Sequence, residues 1–554
     1  MRCTPTVILL SIIFLVLPSH AETDGLNSAE RIQQRIDYLQ HTGDTRIHDD
    51  TVMAKAGLVR FYERRFFKPA WENPAHIRAM IATIRTVDAH GLTPSHYHLP
   101  TLEDLWHRHS QILPAENGHN TSLDFLLTDS FLLLAHDFSS GRVNPSDINP
   151  AWNFTTAEAK IRPEELLELA LVDGTFQDRL ESLTPSHPLY RRMKTALLQY
   201  RALALAGGWE PIPEGPLMDI GIIDERVPLL RQRLRITGDL DIATDGDPLV
   251  FDPSLARAVL RFQERTRVSR QSSLVEDSDG VVGEETRVAL NVPVESRIQQ
   301  LRANLERCRW LLHNLPATFV LVDMASYRGY FYKNDVIIWR ARVQIGAPYT
   351  ETPSFRSDIK YIVFNPTWTV PPGILRRVVL PRIRKDASYL AKRHLQVIDR
   401  DGRRVDPATV VWSKYKAADL PYHIVQTPGP HNAVGRVKFI FPNPYYIYLH
   451  DTPYKTEFRV DERAFSAGCI RIDKPFKLAK RLLNGPEKWT IGRIRDIIDS
   501  GKTKIVFLPE TVPVLIFYLT AQVDDQQKVQ FRKDIYKRDA ALLKRLDAEM
   551  TPLQ

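Results

Sequence analysis

His450 closes an apolar alternating run over residues 446–449, and Cys469 follows a Ser466-Ala467-Gly468 turn that opens a second apolar run. A thiol attacks a carbonyl as its thiolate, and a neighbouring imidazole can take the proton. These types at this spacing fit nucleophilic catalysis, with Cys469 as nucleophile and His450 as base. Strand alternation puts Tyr448 on the face of His450 and Arg471 on the face of Cys469. Tyr448 either lines a pocket or simply packs. Arg471 either grips a carboxylate through two parallel hydrogen bonds or makes a structural ion pair. Thr452 returns to the face of His450 as a hydrogen-bonding neighbour, while Asp451 alternates to the opposite one. The chain has 3 cysteines, Cys3, Cys308 and Cys469. A disulfide or an inert buried thiol are the other readings of Cys469. Cys308 lies in a charged helical pattern and reads as a small residue on a packed helix.

Other chemistries find little support in the sequence. His-Glu-x-x-His and Cys-x-x-Cys spacings do not occur, nor does a phosphate loop or a dinucleotide fingerprint, so neither metal nor cofactor is expected. Lysine and arginine exceed the acidic residues by 8. The basic runs, such as Arg376-Arg377 and Arg382-Ile383-Arg384-Lys385, are short, which argues against a nucleic-acid partner. An envelope polymer or a membrane surface is the better polyanion for an exported protein. Export is expected from residues 1–21: Arg2, an apolar run over 7–17, the helix-breaking Pro18, and small Ser19 and Ala21 at the −3 and −1 positions of a cleavage site. The run is short for a membrane span, which needs roughly 20 residues; an uncleaved inner-membrane anchor is the alternative. No later stretch is long and apolar enough to span a bilayer.

The 554 residues, 43% hydrophobic and 25% charged, suit several globular domains. The predicted architecture is an α+β multidomain chain. Residues 22–208 read as a helical scaffold, with helical periodicity at 29–39, 51–67, 123–138 and 190–205. After a proline-rich linker, residues 209–293 form a small unit with helices at 227–234, 255–267 and 284–290. Its Phe262-Gln263 and Asp279-Gly280-Val281-Val282-Gly283-Glu284-Glu285-Thr286 resemble the signature of a three-helix peptidoglycan-binding module; a helical spacer is the plainer reading. The stretches 239–247 and 270–277 are longer and more polar than that module has. Residues 294–540 read as a mainly β domain entered through a charged helix at 294–314. Its predicted strands lie at 318–323, 328–332, 336–343, 359–364, 424–425, 438–441, 446–449, 504–507 and 514–519. A long insertion, about 371–423, with a helical stretch at 373–395, has the length of a lid. Residues 541–554 are a helical tail, within a charged helix at 538–550.

The pairing of His450 with Ser466-x-Gly468-Cys469-x-Arg471 resembles the L,D-transpeptidase catalytic domain of the YkuD type. Asn365-Pro366-x-Trp368-x-Val370-Pro371-Pro372, Pro428-Gly429-Pro430, Lys438-Phe439-x-Phe441-Pro442-Asn443 and Tyr448-Leu449-His450-Asp451-Thr452-Pro453 resemble its large periplasmic, multidomain YcbB-like branch. That branch also has a helical scaffold and an inserted peptidoglycan-binding module. Ala467 stands where many members have histidine, but the turn acts mainly through its backbone.

The resemblance implies that Cys469 attacks the third-residue carbonyl of a tetrapeptide stem and releases D-alanine. An amine of a neighbouring stem then resolves the thioester into a 3→3 crosslink. His450 would deprotonate the thiol and protonate the leaving amine. A backbone carbonyl of the turn, at Ser466 or Gly468, would orient it, and the Gly468 and Cys469 amides would receive the oxyanion. Trp368, beside the lid, would cover the stem or belong to the core. Peptidoglycan is the implied partner, with other wall-synthesis proteins, and carbapenems the implied inhibitors. An L,D-carboxypeptidase, a D-amino-acid exchanger and a non-catalytic wall-binding scaffold stay open.

Overall fold

The computed structural model describes residues 26–111, 120–154, 162–241, 247–266, 279–485 and 487–553. The expected leader, Cys3, the stretch 270–277 and most of 239–247 lie outside these residues. Among the described residues no helix is long and apolar enough to cross a membrane.

Among the described residues eight α-helices build the first region: α1 (Ser28–Thr42), α2 (Lys55–Arg64), α3 (Pro74–Arg85), α4 (Leu99–Gln111), α5 (Thr121–Ser140), α6 (Pro163–Asp173), α7 (Phe176–Glu181) and α8 (Pro188–Leu205). Asn120 caps α5 by accepting from the Leu123 amide. Helix α5 is apolar almost all round, which suits a helix buried on every side. Its three buried carboxylates are engaged, Asp137 accepting from Tyr97 Oη at 2.7 Å. Asp124 accepts from the amides of Ala70 and Trp71, each at 3.1 Å, and Asp129 from the Ala54 amide at 2.7 Å and His98 Nε2 at 2.8 Å. Asp129 and Asp50 together raise the His98 pKa to about 9 against the opposing cost of burial.

The small unit holds α9 (Val227–Ile236), α10 (Pro253–Thr266) and α11 (Glu284–Leu290) around its own core of Val227, Leu230, Leu255, Val259, Phe262 and Leu290. Its sequence signature has a structural cause. Gln263, buried in α10, donates to the carbonyl of Val281 at 2.8 Å and to Thr286 at 3.1 Å, and accepts from the Gly280 amide at 3.1 Å. One amide side chain thereby fixes the turn that launches α11.

Helix α12 (Val294–Leu311) is charged yet buried, and it packs into the core of the eight-helix region together with Phe319, Leu321, Leu515 and Phe517. The sequence placed this helix in the catalytic domain; its packing makes it the axle between that domain and the scaffold. Its ion pair Arg309–Glu306 is sealed from solvent. Arg309 also donates to the His90 carbonyl at 2.9 Å and Tyr190 Oη at 3.1 Å, and Glu306 accepts from the Val143 amide at 2.7 Å. Buried charges of this kind persist only when paired and hydrogen-bonded.

The β domain is one nine-stranded sheet. Its strands are β1 (Thr318–Asp323), β2 (Arg328–Lys333), β3 (Val336–Gly346), β4 (Phe355–Phe364), and, after the insertion, β9 (Val437–Ile440), β10 (Leu449–His450), β11 (Ala464–Ser466), β12 (Ile470–Ile472) and β13 (Lys504–Phe517). The order is β11-β3-β12-β10-β9-β4-β13-β1-β2, and β2 also pairs with β3, so the sheet closes on itself and leaves few edges. Strand β13 is a single strand with a register irregularity between Phe507 and Val512, where the sequence pattern shows two. Alternation sends Ile362, Phe439, Leu449 and Ile470 into the barrel core beneath helices α13 (Pro475–Leu482) and α14 (Ile491–Asp499). Each such side chain contributes about 1.5–3 kcal/mol when fully buried. The chain ends with α15 (Arg538–Leu546), whose Leu542 and Leu546 join the helical core.

The insertion is mixed in structure. A short helix, Pro372–Ile374, runs through a π turn, Leu375–Val379, into Leu380–Lys385. It packs on a four-stranded sheet made of β5 (Trp368–Thr369), β6 (Leu395–Ile398), β7 (Arg404–Val405) and β8 (His423–Gln426) in the order β5-β8-β6-β7. Val370, Leu375, Leu380, Ile383, Val397 and Ile424 form its separate core. The expected helical stretch is present in pieces that end at Lys392, and of the four strands only β8 was expected, at 424–425, the others being too short for a period-2 pattern to reveal.

Candidate active site

Register brings the two chemical runs together. Strands β10 and β12 pair in parallel, with Leu449 opposite Ile470 and His450 opposite Arg471, and the Ile470 amide donates to the Tyr448 carbonyl at 2.9 Å. Continuing that register, Tyr448 stands beside Cys469. Tyr448, His450, Cys469 and Arg471 therefore share the outer face, while Leu449 and Ile470 anchor the same strands in the core. Thiol and imidazole are diagonal neighbours on one wall.

Cys469 is partly exposed at the start of β12. Its thiol donates to the carbonyl of Tyr446 at 3.5 Å. Tyr446 is itself exposed and holds a left-handed backbone, φ 56°. Burial pushes the thiol pKa up; the Tyr448 amide, Lys438 and Arg471 oppose that shift. Cys308, by contrast, is fully buried against Met193 Sδ at 3.6 Å, its pKa pushed up to about 12 by burial. Both cysteines are free thiols.

His450 is buried, and its Nδ1 meets the carbonyl of Asp451 at 2.5 Å. A carbonyl only accepts, so Nδ1 carries the proton and Nε2 the lone pair. Burial first, then the charges of Arg471 and Lys438, lower its pKa to about 3, against the carbonyls of Asp451 and Val434. A neutral ring with a bare Nε2 is the form that can accept a proton.

The orienting carbonyl thus belongs to Asp451 and not to the cysteine turn, where Ser466 and Gly468 were expected to supply it. Those two carbonyls are already engaged. That of Ser466 accepts from the Ala347 amide and Thr350 Oγ1, both at 2.9 Å, and that of Gly468 from Thr352 Oγ1 at 2.8 Å. The loop 347–352 approaches so closely that a Cβ on Gly346 would lie 2.0 Å from the Thr350 carbonyl oxygen. Gly468, at φ 116°, needs the freedom of glycine. Its amide donates to Ser466 Oγ at 3.0 Å, and is therefore occupied where an oxyanion donor was expected.

The remaining expected residues are dispersed around this centre. Arg471 pairs with Glu457 at 2.9 Å and donates to Gln344 at 3.0 Å, the structural ion pair that the sequence left as one of two readings. Asp451 turns its carboxylate away to Lys455 and accepts from the Arg436 amide at 2.8 Å. Thr452 is buried, and its hydroxyl accepts from the Tyr454 amide at 3.2 Å. Tyr448 lies under Lys438, whose Nζ is 3.6 Å from the ring centroid. Trp368 sits in β5 and packs against the core of the insertion. Arg393 of the insertion donates to Tyr454 Oη at 3.3 Å, and Arg471 lies 5.9 Å from that ring. Lys438, Tyr446 and Glu457 escaped the sequence reading as site residues. For Lys438 the signal was available: it stands in a quoted motif, in the run 438–441.

Residues 317–503 match the family model of the L,D-transpeptidase catalytic domain, and residues 56–197 that of a scaffold domain. The chain thus combines a helical scaffold domain with a mainly β YkuD-type catalytic domain. A protein of Haemophilus influenzae named "Putative L,D-transpeptidase" is 33% identical over 248 residues. That alignment takes in 44% of this chain and 49% of the relative, so the chain spans about half the length of the curated relative it matches. Among solved structures, an L,D-transpeptidase of Stackebrandtia nassauensis is 13% identical over 56% of this chain and 97% of its own, with a TM-score of 0.21. One from Mycobacterium smegmatis is 11% identical over 36% of this chain and 58% of its own, with a TM-score of 0.17.

Proposed function

We propose that the chain is an exported, periplasmic peptidoglycan L,D-transpeptidase that forms 3→3 crosslinks through a thioester on Cys469. The observation that carries this reading is the placement of Cys469 and His450 on one face of paired strands within a segment matching the L,D-transpeptidase catalytic domain. His450, neutral with a bare Nε2, suits the base that takes the thiol proton and returns it to the departing D-alanine amine. The Cys469 amide would receive the oxyanion directly. The Gly468 amide would join it only if Ser466 Oγ gives way.

The insertion, the scaffold and the three-helix unit fit a protein that holds a large polymer while one stem enters the site. The segment 371–423 contains 12 lysines and arginines against 5 aspartates, so it carries nearly all of the chain's excess positive charge. Stem peptides are polyanionic through their free carboxylates, and such a surface would gather them.

The test is incubation with disaccharide-tetrapeptides followed by muropeptide analysis. Release of D-alanine with tetrapeptide–tripeptide dimers supports the reading. Tripeptide alone would mark an L,D-carboxypeptidase, incorporation of an added D-amino acid an exchanger, and no D-alanine release a binding scaffold. Cys469→Ala should abolish turnover without loss of fold, and a carbapenem should acylate the Cys469 peptide.

A further inference from the structure

We propose that Lys438 is a positioning residue that supplies the positive charge against which the Cys469 thiolate forms. The proposal rests on the reading of Cys469 as the nucleophile, and it is independent of which acceptor resolves the thioester.

The geometry comes from three adjacent strands. Lys438 in β9 is the Cα partner of His450 in β10, so its side chain rises on the outer face with His450 and Tyr448. Its ammonium lies 3.6 Å from the centroid of the Tyr448 ring, and Tyr448 is the residue that register places beside Cys469. The order across the wall is therefore cation, aromatic ring, thiol. Among the described residues no carboxylate pairs with Lys438, although the side chain is largely covered. An unpaired ammonium costs free energy to desolvate, and a ring contact compensates only in part. The position makes sense when an anion arrives beside it, and the thiolate is the anion the chain itself can produce there.

The other groups facing the sulfur do not fill this role. Arg471 is already bound to Glu457 and Gln344. His450 is held neutral, and becomes a cation only after it has taken the proton. Tyr446 and Tyr448 offer a carbonyl and an amide but no charge, and Tyr361, on β4 across β9 from Tyr448, is another phenol. In the step itself the proton leaves Sγ for His450 Nε2 or for water, and no bond to Lys438 is made. Burial lowers the Lys438 pKa while the charge of Cys469 raises it, as expected for two groups that ionise against each other.

The test is iodoacetamide alkylation of the intact protein as a function of pH, read by mass spectrometry on the Cys469 peptide. No stem peptide is involved, so failure of the transpeptidase reading would not disturb it. Lys438→Met should raise the apparent thiol pKa by about one unit, and so slow alkylation at pH 7 roughly tenfold. Lys438→Arg should restore most of that rate, because a guanidinium also sits on an aromatic face. Near-UV circular dichroism and thermal melting check the fold, and Lys438→Gln replaces the Met variant should that one misfold. An unchanged thiol pKa in a folded Met or Gln variant overturns the proposal. So does a shift of equal size in Lys438→Arg, which would assign the effect to packing.

Discussion

The hydroxyl of Ser466 donates to the carbonyl oxygen of Cys469 across 2.5 Å, so the nucleophile's turn is tied shut by a residue three positions earlier. The Ser466 hydroxyl oxygen in turn accepts from the Gly468 amide at 3.0 Å. Ser466 therefore fixes the turn and, while bound, occupies one of its amides. Ser466→Ala should lower unfolding free energy by about 1–2 kcal/mol through lost hydrogen bonds, measurable by urea titration. It should also slow D-alanine release more than alkylation of Cys469, because the amide geometry matters for the tetrahedral intermediate and hardly for a small alkylating agent.

His450 gives the protein a defined sensitivity to acid. Its pKa is about 3 in the folded chain against an ordinary 6.5. Between these values the unfolded chain binds a proton that the folded one does not, so stability falls as pH drops through 6.5 toward 3. The slope from this one group is at most about 1.4 kcal/mol per pH unit. Above pH 6.5 the contribution is constant. Urea unfolding of the wild type and His450→Gln between pH 7.5 and 4.5 should show the wild type declining more steeply. Parallel profiles would mean that the imidazole is not the titrating group.

Much of this site was legible because strand alternation is a strict period. Leu449 and Ile470 had to be buried, which forced Tyr448, His450, Cys469 and Arg471 outward. The order of the strands was not legible, since the parallel pairing of β10 with β12 joins segments separated by a loop and carries no local sign. For the same reason Asp451 was read only for its carboxylate, whereas its backbone carbonyl is what meets His450. The burial of α12 was hidden by its composition. Arg302, Arg307 and Arg309 look solvent-facing until their partners Asp547, Asp539 and Glu306 are seen, two of them more than 200 residues away.

Arg471 is poised between structure and recognition. Its Nη1 serves both Gln344 and Glu457, while its buried Nε has no partner. The pair with Glu457 is partly exposed, so breaking it should cost no more than about 1 kcal/mol. Glu457→Gln should release the guanidinium and lower the KM for a carboxylate-bearing donor by about twofold to fivefold, with kcat little changed. Arg471→Lys should raise that KM, because an ammonium cannot reproduce the planar fork. Steady-state D-alanine release measures both. A KM that ignores Glu457→Gln would leave Arg471 as a purely structural cation.

The insertion should bind the wall in a salt-dependent way. In its helical stretch Leu375, Val379, Leu380 and Ile383 face the insertion's core, which leaves Arg376, Arg377, Arg382, Arg384 and Lys385 on the outside. Arg384 is tied to the carbonyls of Trp412 and Tyr415, and Lys392 pairs with Asp386. Exposed charges of this kind act over roughly 8–10 Å at physiological salt and are screened within about 3 Å at 1 M. Pelleting with purified sacculi should therefore retain the protein at about 50 mM salt and lose most of it by about 500 mM. Replacing Arg376, Arg377, Arg382 and Lys385 together by glutamine should weaken the low-salt binding by roughly tenfold or more. It should leave alkylation of Cys469 unchanged, because these side chains stand on a separate core from the thiol. Binding that survives both high salt and the fourfold variant would transfer wall attachment to the scaffold or the three-helix unit.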